Sequence, residues 1–380
     1  MKRMVRNAVL VMVACAMPLA STYAQAPAGP IVPQPGVVIQ QAPKETKIKL
    51  QSVLVNTPVT VRDASGMMVH NLEPQEFRLT DNGVEQKITH FELGGDPISL
   101  VVVVETSSRV EAVLPEIRKA GILISQTVMG PTGEAAIIGF NDYVDRLQDF
   151  TSDADAIDRT MERLKEGTSG ARLYDAMAMG VEMLSGRPIA SATDIGRRRV
   201  LLVLAEAGDI GSGAKLGAVL RKAQLENVTI YSVGISSTRA ALQKTPEYKR
   251  PPNPAPDGTF GTPQAPGTVQ TPSTQNQQYE GIDLIALAKW AVSHIKDEVT
   301  ENGMQIAAAA TGGEHLATWK DSSIERAIDE VGGEIHSQYI LNYIPTSAGG
   351  EGYHEIKVDV DRKDLKVRAR PGYYLAGPES

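Results

Sequence analysis

Cysteine is nearly missing from this sequence: Cys15 is the only one in 380 residues. A chain that sheds its first residues would have neither a disulfide framework nor thiol chemistry, so a sizeable apolar core must hold it together. Also lacking is any long basic run, and the net charge is −7. That balance excludes nucleic acid or an anionic membrane surface as the main partner. Past the first ~20 residues, no apolar run approaches the length of a membrane span. The six histidines are scattered, with none paired at metal-ligand spacing. His90, His336 and His354 fall in or beside β segments, where structural roles are expected. No serine sits in a nucleophile-elbow pattern, so nothing points to an enzyme.

The amino terminus is informative. A basic start with Lys2, Arg3 and Arg6 precedes an apolar stretch, and Thr22 and Ala24 lie three and one residues before a plausible cut. This predicts a secretory signal peptide over 1–24 and an exported protein, periplasmic, in the cell envelope or extracellular. Without the three cations the charge of −7 becomes −10. The alternative is a lipoprotein, with Met12-Val13-Ala14-Cys15 as an imperfect acylation box; membrane association would then come through a lipidated Cys15.

A Pro-rich linker is expected over 25–44. Residues 45–97 read as β segments, including a hairpin over Phe77–Phe91 turned by Asn82-Gly83, a pair suited to positive φ. Over 98–336, continuous apolar strands (100–104, 135–140, 199–205, 228–235) alternate with amphipathic helices, with the Arg197-Arg198-Arg199 flank expected in water. That pattern predicts a largely parallel sheet covered on both faces. Within it, 245–278 is rich in Pro, Gly, Thr, Gln and Asn and is expected to be a disordered excursion. Ser322-Ser323-Ile324-Glu325 forms a capping box for a later helix. Alternation returns over 337–377, where Tyr339, Tyr343, Tyr373 and Tyr374 read as sandwich core and rim. The expected fold class is α/β, with a Rossmann-like domain inserted into a small β-sandwich formed by the two terminal segments.

Two strands end in similar chemistry, VVVVETSSR (101–109) and LAEAGD (204–209), with the turn GTSGARLYDA (167–176) between them in sequence. Ligands of open parallel sheets bind beyond such strand ends. This three-part arrangement resembles the von Willebrand factor type A domain. The opening EFRLTDNG (76–83), the SQYILNYIP stretch (337–345) and the closing KVRARPGYY (366–374) resemble, more narrowly, the von Willebrand factor A-related proteins of acidobacteria. The resemblance implies protein recognition at a metal-ion-dependent adhesion site, where Asp-x-Ser-x-Ser, a Thr and a later Asp hold a Mg²⁺-type cation.

Here that site is degenerate. Glu105 stands for the first Asp, Ser107 keeps the first Ser, Arg109 replaces the second, Ala171 replaces the Thr, and Glu206 replaces the later Asp. A guanidinium repels a divalent ion and attracts carboxylates, so Arg109 is expected to replace the metal as counter-ion, with no cofactor. If Mg²⁺ or Mn²⁺ is bound instead, Glu105, Ser107 and Glu206 would need substitute oxygens from Thr168, Ser169 or Asp209. The sequence thus predicts a noncatalytic adhesion or scaffold protein whose partner is another protein. A hydrolase or nucleotide-binding enzyme and a structural remnant with no rim ligand stay open as alternatives. The Gly211–Gly217 stretch has the wrong spacing for a dinucleotide fingerprint and reads as a glycine-rich turn. Asp142, Asp145 and Asp149 read as a solvated loop.

Overall fold

The computed structural model describes residues 54–95, 97–188, 197–206, 208–235, 303–318, 322–346 and 352–375. The signal and linker segments, Cys15 and the 245–278 excursion lie outside them. Among the described residues, no helix is long and apolar enough to cross a membrane.

Valine, isoleucine and leucine crowd three segments, which become the central strands β5 (Ile98–Glu105), β6 (Glu134–Phe140) and β8 (Arg198–Ala205), buried along their whole length. With β7 (Val144–Thr151), β9 (Val228–Gly234) and β10 (His315–Ala317) they form a six-stranded sheet in the order β10-β9-β8-β5-β6-β7. Every pairing is parallel except β6 with the edge strand β7. Because successive strand residues point to opposite faces, the β5 valines divide. Val101 and Val103 pack toward α3 (Leu173–Ser185), α4 (Leu216–Leu225) and α5 (Gly303–Thr311). Leu100, Val102 and Val104 pack toward α1 (Leu114–Leu123), α2 (Ala154–Glu162) and α6 (Ser322–Ser337). Each such fully buried side chain contributes about 1.5–3 kcal/mol. Helix α3 lies so close to the sheet that a Cβ on Gly180 would come within 2.5 Å of a Leu201 methyl, which is why glycine stands there.

Two further four-stranded sheets come from both ends of the described chain. One has the order β13-β1-β11-β4, with β1 Val55–Arg62, β4 Ile88–Leu93, β11 Tyr339–Tyr343 and β13 Lys366–Ala369. The other is β14-β12-β2-β3, with β2 Phe77–Asp81, β3 Val84–Gln86, β12 Gly352–Val360 and β14 Gly372–Leu375. Val59, Val61, Tyr339 and Leu341 of the first meet Phe77, Leu79, Ile356 and Val358 of the second in one core. The chain is therefore an α/β domain with a mostly parallel central sheet, inserted into a β-sandwich of N- and C-terminal strands.

Several local expectations meet a different outcome. The Asn82-Gly83 turn forms, with φ of 49° and 79°, but it joins only β2 to β3. The Ile88–Phe91 part of the expected hairpin crosses to the opposite sheet and pairs with β11. The first of the amphipathic helices, after β5, starts as a 3₁₀ turn over Ser108–Val113, becomes α-helical at Leu114 with Pro115 in its first turn, and ends in a π turn, Ile124–Met129. The segment holding Asp145 and Asp149 is solvated as expected but is a strand, β7, in which no residue is fully buried, so there was no apolar alternation to read.

The arginine flank is also corrected. Arg198 and Arg199 are each only 7% exposed. Arg198 donates to the Ile335 carbonyl at 2.6 Å and to Gln338, while Arg199 donates to the Glu226 carbonyl at 2.8 Å and its carboxylate at 3.1 Å. Guanidiniums enter the interior here because fixed oxygens replace their water.

Asp153 caps α2, its carboxylate accepting from the Asp155 and Ala156 amides at 3.0 and 3.2 Å. An Asp153→Ala variant is expected to lose about 1 kcal/mol of stability in urea unfolding.

Candidate functional site

Adjacent parallel strands β5 and β8 deliver their last residues to the same edge of the sheet. Glu105 closes β5 with no exposure at all, and Glu206 follows β8 directly. A carboxylate at such a place needs donors. The Ser107 hydroxyl donates to Glu105 Oε1 at 2.5 Å, and the Glu206 backbone N–H donates to Oε2 at 2.7 Å. Arg109 Nε donates to Glu206 Oε2 at 2.7 Å and stands 4.0 Å from Glu105 Oε1. Its Nη1 reaches the Gly208 carbonyl at 3.5 Å. The backbone N–H of Arg109 turns back to Ser107 Oγ at 3.3 Å, fixing the first turn after the strand.

The Glu105 carboxyl is pushed above its usual range. Burial is the main cause, aided by the nearby Glu206 charge and opposed by the Ser107 hydroxyl, Arg109 and the Glu206 amide. Arg109 thus makes its short ion pair with the outer carboxylate, Glu206, while the inner one is served by a hydroxyl and an amide.

Of the residues singled out from the sequence, Glu105, Ser107, Arg109 and Glu206 come together. Ala171 is fully buried, and its backbone pairs with Ile210, donating at 3.2 Å and accepting at 2.7 Å, so its side chain offers no oxygen. Thr168 is exposed, and its hydroxyl is engaged with Asn141 Oδ1 at 3.0 Å and the Asp142 amide at 3.2 Å. Asp209 accepts from the Tyr174 amide at 3.0 Å and the Ser212 hydroxyl at 2.5 Å. Ser169 is exposed.

As a donor set, this arrangement does not fit a hard divalent cation, which wants several oxygens in near-octahedral array. A guanidinium lies against the acidic pair, the Ser107 hydroxyl points its proton at Glu105, and the Thr position carries a methyl. Among the described residues, no group of three or more His, Asp or Glu side chains is placed to hold a metal.

Sequence reasoning missed two supports of this edge. Asn141 Nδ2 donates to Thr106 Oγ1 at 3.2 Å, tying the β6 end to the β5 end; one asparagine without a motif gave no signal. Asp175 accepts from the amides of Gly213 and Ala214 at 3.1 and 2.8 Å and from Arg172 Nε at 2.8 Å. Burial works against its charge, but these donors prevail and hold its carboxyl below the usual range. The glycine-rich turn therefore spends its amides on a carboxylate of its own chain. Its position before a helix could have raised that possibility from the sequence.

No protein-family model matches the chain. No curated protein matches it. Among solved structures, it is similar to an aerotolerance-related membrane protein from Bacteroides fragilis, at 14% identity and TM-score 0.36 over 62% of this chain and 99% of that one. It is also similar to the conserved hypothetical protein BatB from Bacteroides thetaiotaomicron, at 12% identity and TM-score 0.37 over 63% and 98%. A third is the SpRpn10 VWA domain, at 14% identity and TM-score 0.30 over 38% and 78%. The fold class rests on the strand order and register of the sheet rather than on these distant alignments.

Proposed function

We propose that this is an exported, noncatalytic protein-binding protein of the adhesion or scaffold kind, which meets its partner at the Glu105–Arg109–Glu206 rim without a bound metal. The observation that carries this is the 2.7 Å ion pair from Arg109 to Glu206, a fixed internal cation at the degenerate adhesion site. Neighbouring positions support protein contact. Tyr143, in the β6–β7 turn, and Ile210, after β8, are 66% and 52% exposed. Large apolar and aromatic side chains around a polar centre are the usual material of an interface. Export is supported by the basic and apolar leader read in the sequence.

Two measurements test the proposal. Calorimetric titration of the full chain with Mg²⁺ or Mn²⁺ is expected to give no stoichiometric binding. Crosslinking in the native envelope is expected to capture a protein partner, with capture reduced at least about tenfold by Arg109→Ser, the loss of one interface anchor. Tight one-to-one cation binding would overturn the metal-independent mode. Capture indifferent to the rim variant would overturn the site.

A further inference from the structure

A cavity of about 410 Å³ opens beside the rim, on the β7 side of β5. It lies beyond the carboxyl ends of β5 and β6, lined by Thr106, Gly139 and Asn141 together with β7 and the segment after α2. Its volume is within the ~300–1,000 Å³ of small-molecule sites.

Backbone features shape it. On β7, Arg146 faces Ile138 and Gln148 faces Ile137, so Leu147 is the unpaired residue of a β-bulge. Bulges re-aim a side chain and recur next to binding sites. Leu147 is turned over Gly139, where a Cβ would come within 2.8 Å of the leucine methyl. Leu147, 42% exposed, gives the cavity an apolar surface, and Leu164 is buried beneath it.

The walls are charged in both senses. Asp145 comes from β7, and Arg163, Lys165 and Glu166 come from the chain leaving α2. None of these four makes a side-chain hydrogen bond or ion pair with a described residue. Their neighbours do: Arg146 pairs with Asp149 at 2.9 Å and Arg159 with Asp153 at 3.4 Å. Two cations and two anions therefore surround an apolar patch, with no partner among the described residues for any of them.

We propose that this cavity binds a small zwitterion of the free-dipeptide class carrying an apolar side chain. Its ammonium meets Asp145 and Glu166, its carboxylate meets Arg163 and Lys165, and its side chain rests on Leu147. The matched signs select a ligand with both charges over a simple anion or cation. The site is separate from the rim ion pair and does not depend on the protein-binding role.

The test is calorimetric titration of the full chain with dileucine having free ends and with the same dipeptide acetylated and amidated. The free dipeptide is expected to bind, and the capped form to bind at least about tenfold more weakly. An Arg163→Gln, Lys165→Gln double variant should weaken binding by a similar factor without changing the circular dichroism spectrum, since both side chains are exposed and unpaired. Arg109→Ser should leave it unchanged. Absence of binding, equal binding of the capped form, or indifference to the double variant would overturn the proposal. Loss of dipeptide binding in Arg109→Ser would place the ligand on the rim and overturn it as well.

Discussion

Asp81→Ala is expected to destabilise the sandwich by about 3–6 kcal/mol, because a fully buried acceptor of three hydrogen bonds disappears. Asp81 has no exposure. Its Oδ2 accepts from Tyr343 Oη at 2.9 Å and Tyr373 Oη at 2.8 Å, and its Oδ1 pairs with His354 Nδ1 at 3.1 Å. The two hydroxyls come from opposite sheets, β11 and β14, so this one carboxylate ties the layers together. Burial is the main cause that pushes both tyrosine hydroxyls up, helped at Tyr343 by the neighbouring Tyr373 and then Asp81, and at Tyr373 by the hydrogen bond to Asp81 and its charge, so they stay protonated and donate. Alanine would leave these donors without a partner in a site too dry to supply one. Asp81→Asn keeps the shape and one acceptor oxygen, so a smaller loss is expected. Urea unfolding followed by circular dichroism measures both; an alanine variant within about 1 kcal/mol of the parent would show that the tyrosines find other acceptors.

Glu334→Leu should cost about 3–5 kcal/mol, the usual result of removing one partner of a buried ionic cluster. The Glu334 side chain is 1% exposed, at the place where α6 leads into β11. It accepts from Tyr231 Oη of β9 at 2.8 Å, from Arg62 of β1 at 3.0 Å and from Arg368 of β13. Gln338 donates to Tyr231 Oη at 3.0 Å and to Thr60 Oγ1 at 2.9 Å, and accepts from Arg198. The inserted domain and the sandwich share this cluster.

The pH dependence gives a second readout. Burial alone would raise the Glu334 carboxyl, but the Arg368 charge and hydrogen bonds from Glu314, Tyr231 and Arg368 outweigh it and hold it down to about 2. Its contribution is present above the ordinary value of 4.5 and is lost as pH falls through about 2. Glu314, a second carboxyl on the same arginines at 3.4 and 2.9 Å, is pushed up to about 7 by burial and by the Glu334 charge. The folded state thus holds its proton more tightly than the unfolded chain does, and stability falls as pH rises from 4.5 through about 7. In Glu334→Leu, Glu314 becomes the sole carboxylate between Arg62 and Arg368 and its pKa should drop. The slope between pH 5 and 7 should flatten or reverse, on the order of the linkage expected for one carboxyl. An unchanged slope would remove Glu314 as its source.

Much of this architecture was legible beforehand. Residues 100–104, 135–140 and 200–205 are apolar without interruption, as a strand buried on both faces requires, the stretch 228–235 is broken only by the small polar Thr229 and Ser232, and all four lie in the central sheet. Strand β12 alternates Ile356, Val358 and Val360 with polar residues because one of its faces meets the sandwich core. Where one segment had two possible partners, local pattern was insufficient. Ile88–Leu93 has the composition of a hairpin arm, yet the sheet that takes it is chosen by β11, roughly 250 residues away.

At the rim, residue types foretold that acids and an arginine would meet, but not how. Coulomb attraction made Arg109 an obvious counter-ion for both carboxylates. Which of them receives the short contact depends on the depth of each strand end: Ser107 and the Glu206 amide occupy the Glu105 oxygens, and the short contact of Arg109 goes to Glu206. Likewise Gln338 and Arg368 stood in motifs noticed for their resemblance, while their joint role at the Glu334 cluster emerged only when strands from both ends of the chain converged. Periodicity and composition set the elements and their order, since those follow from which face of each segment must leave water. Partner choice among buried charges was left to the tertiary structure, because a charge far away in sequence becomes a neighbour only after the chain has closed around it.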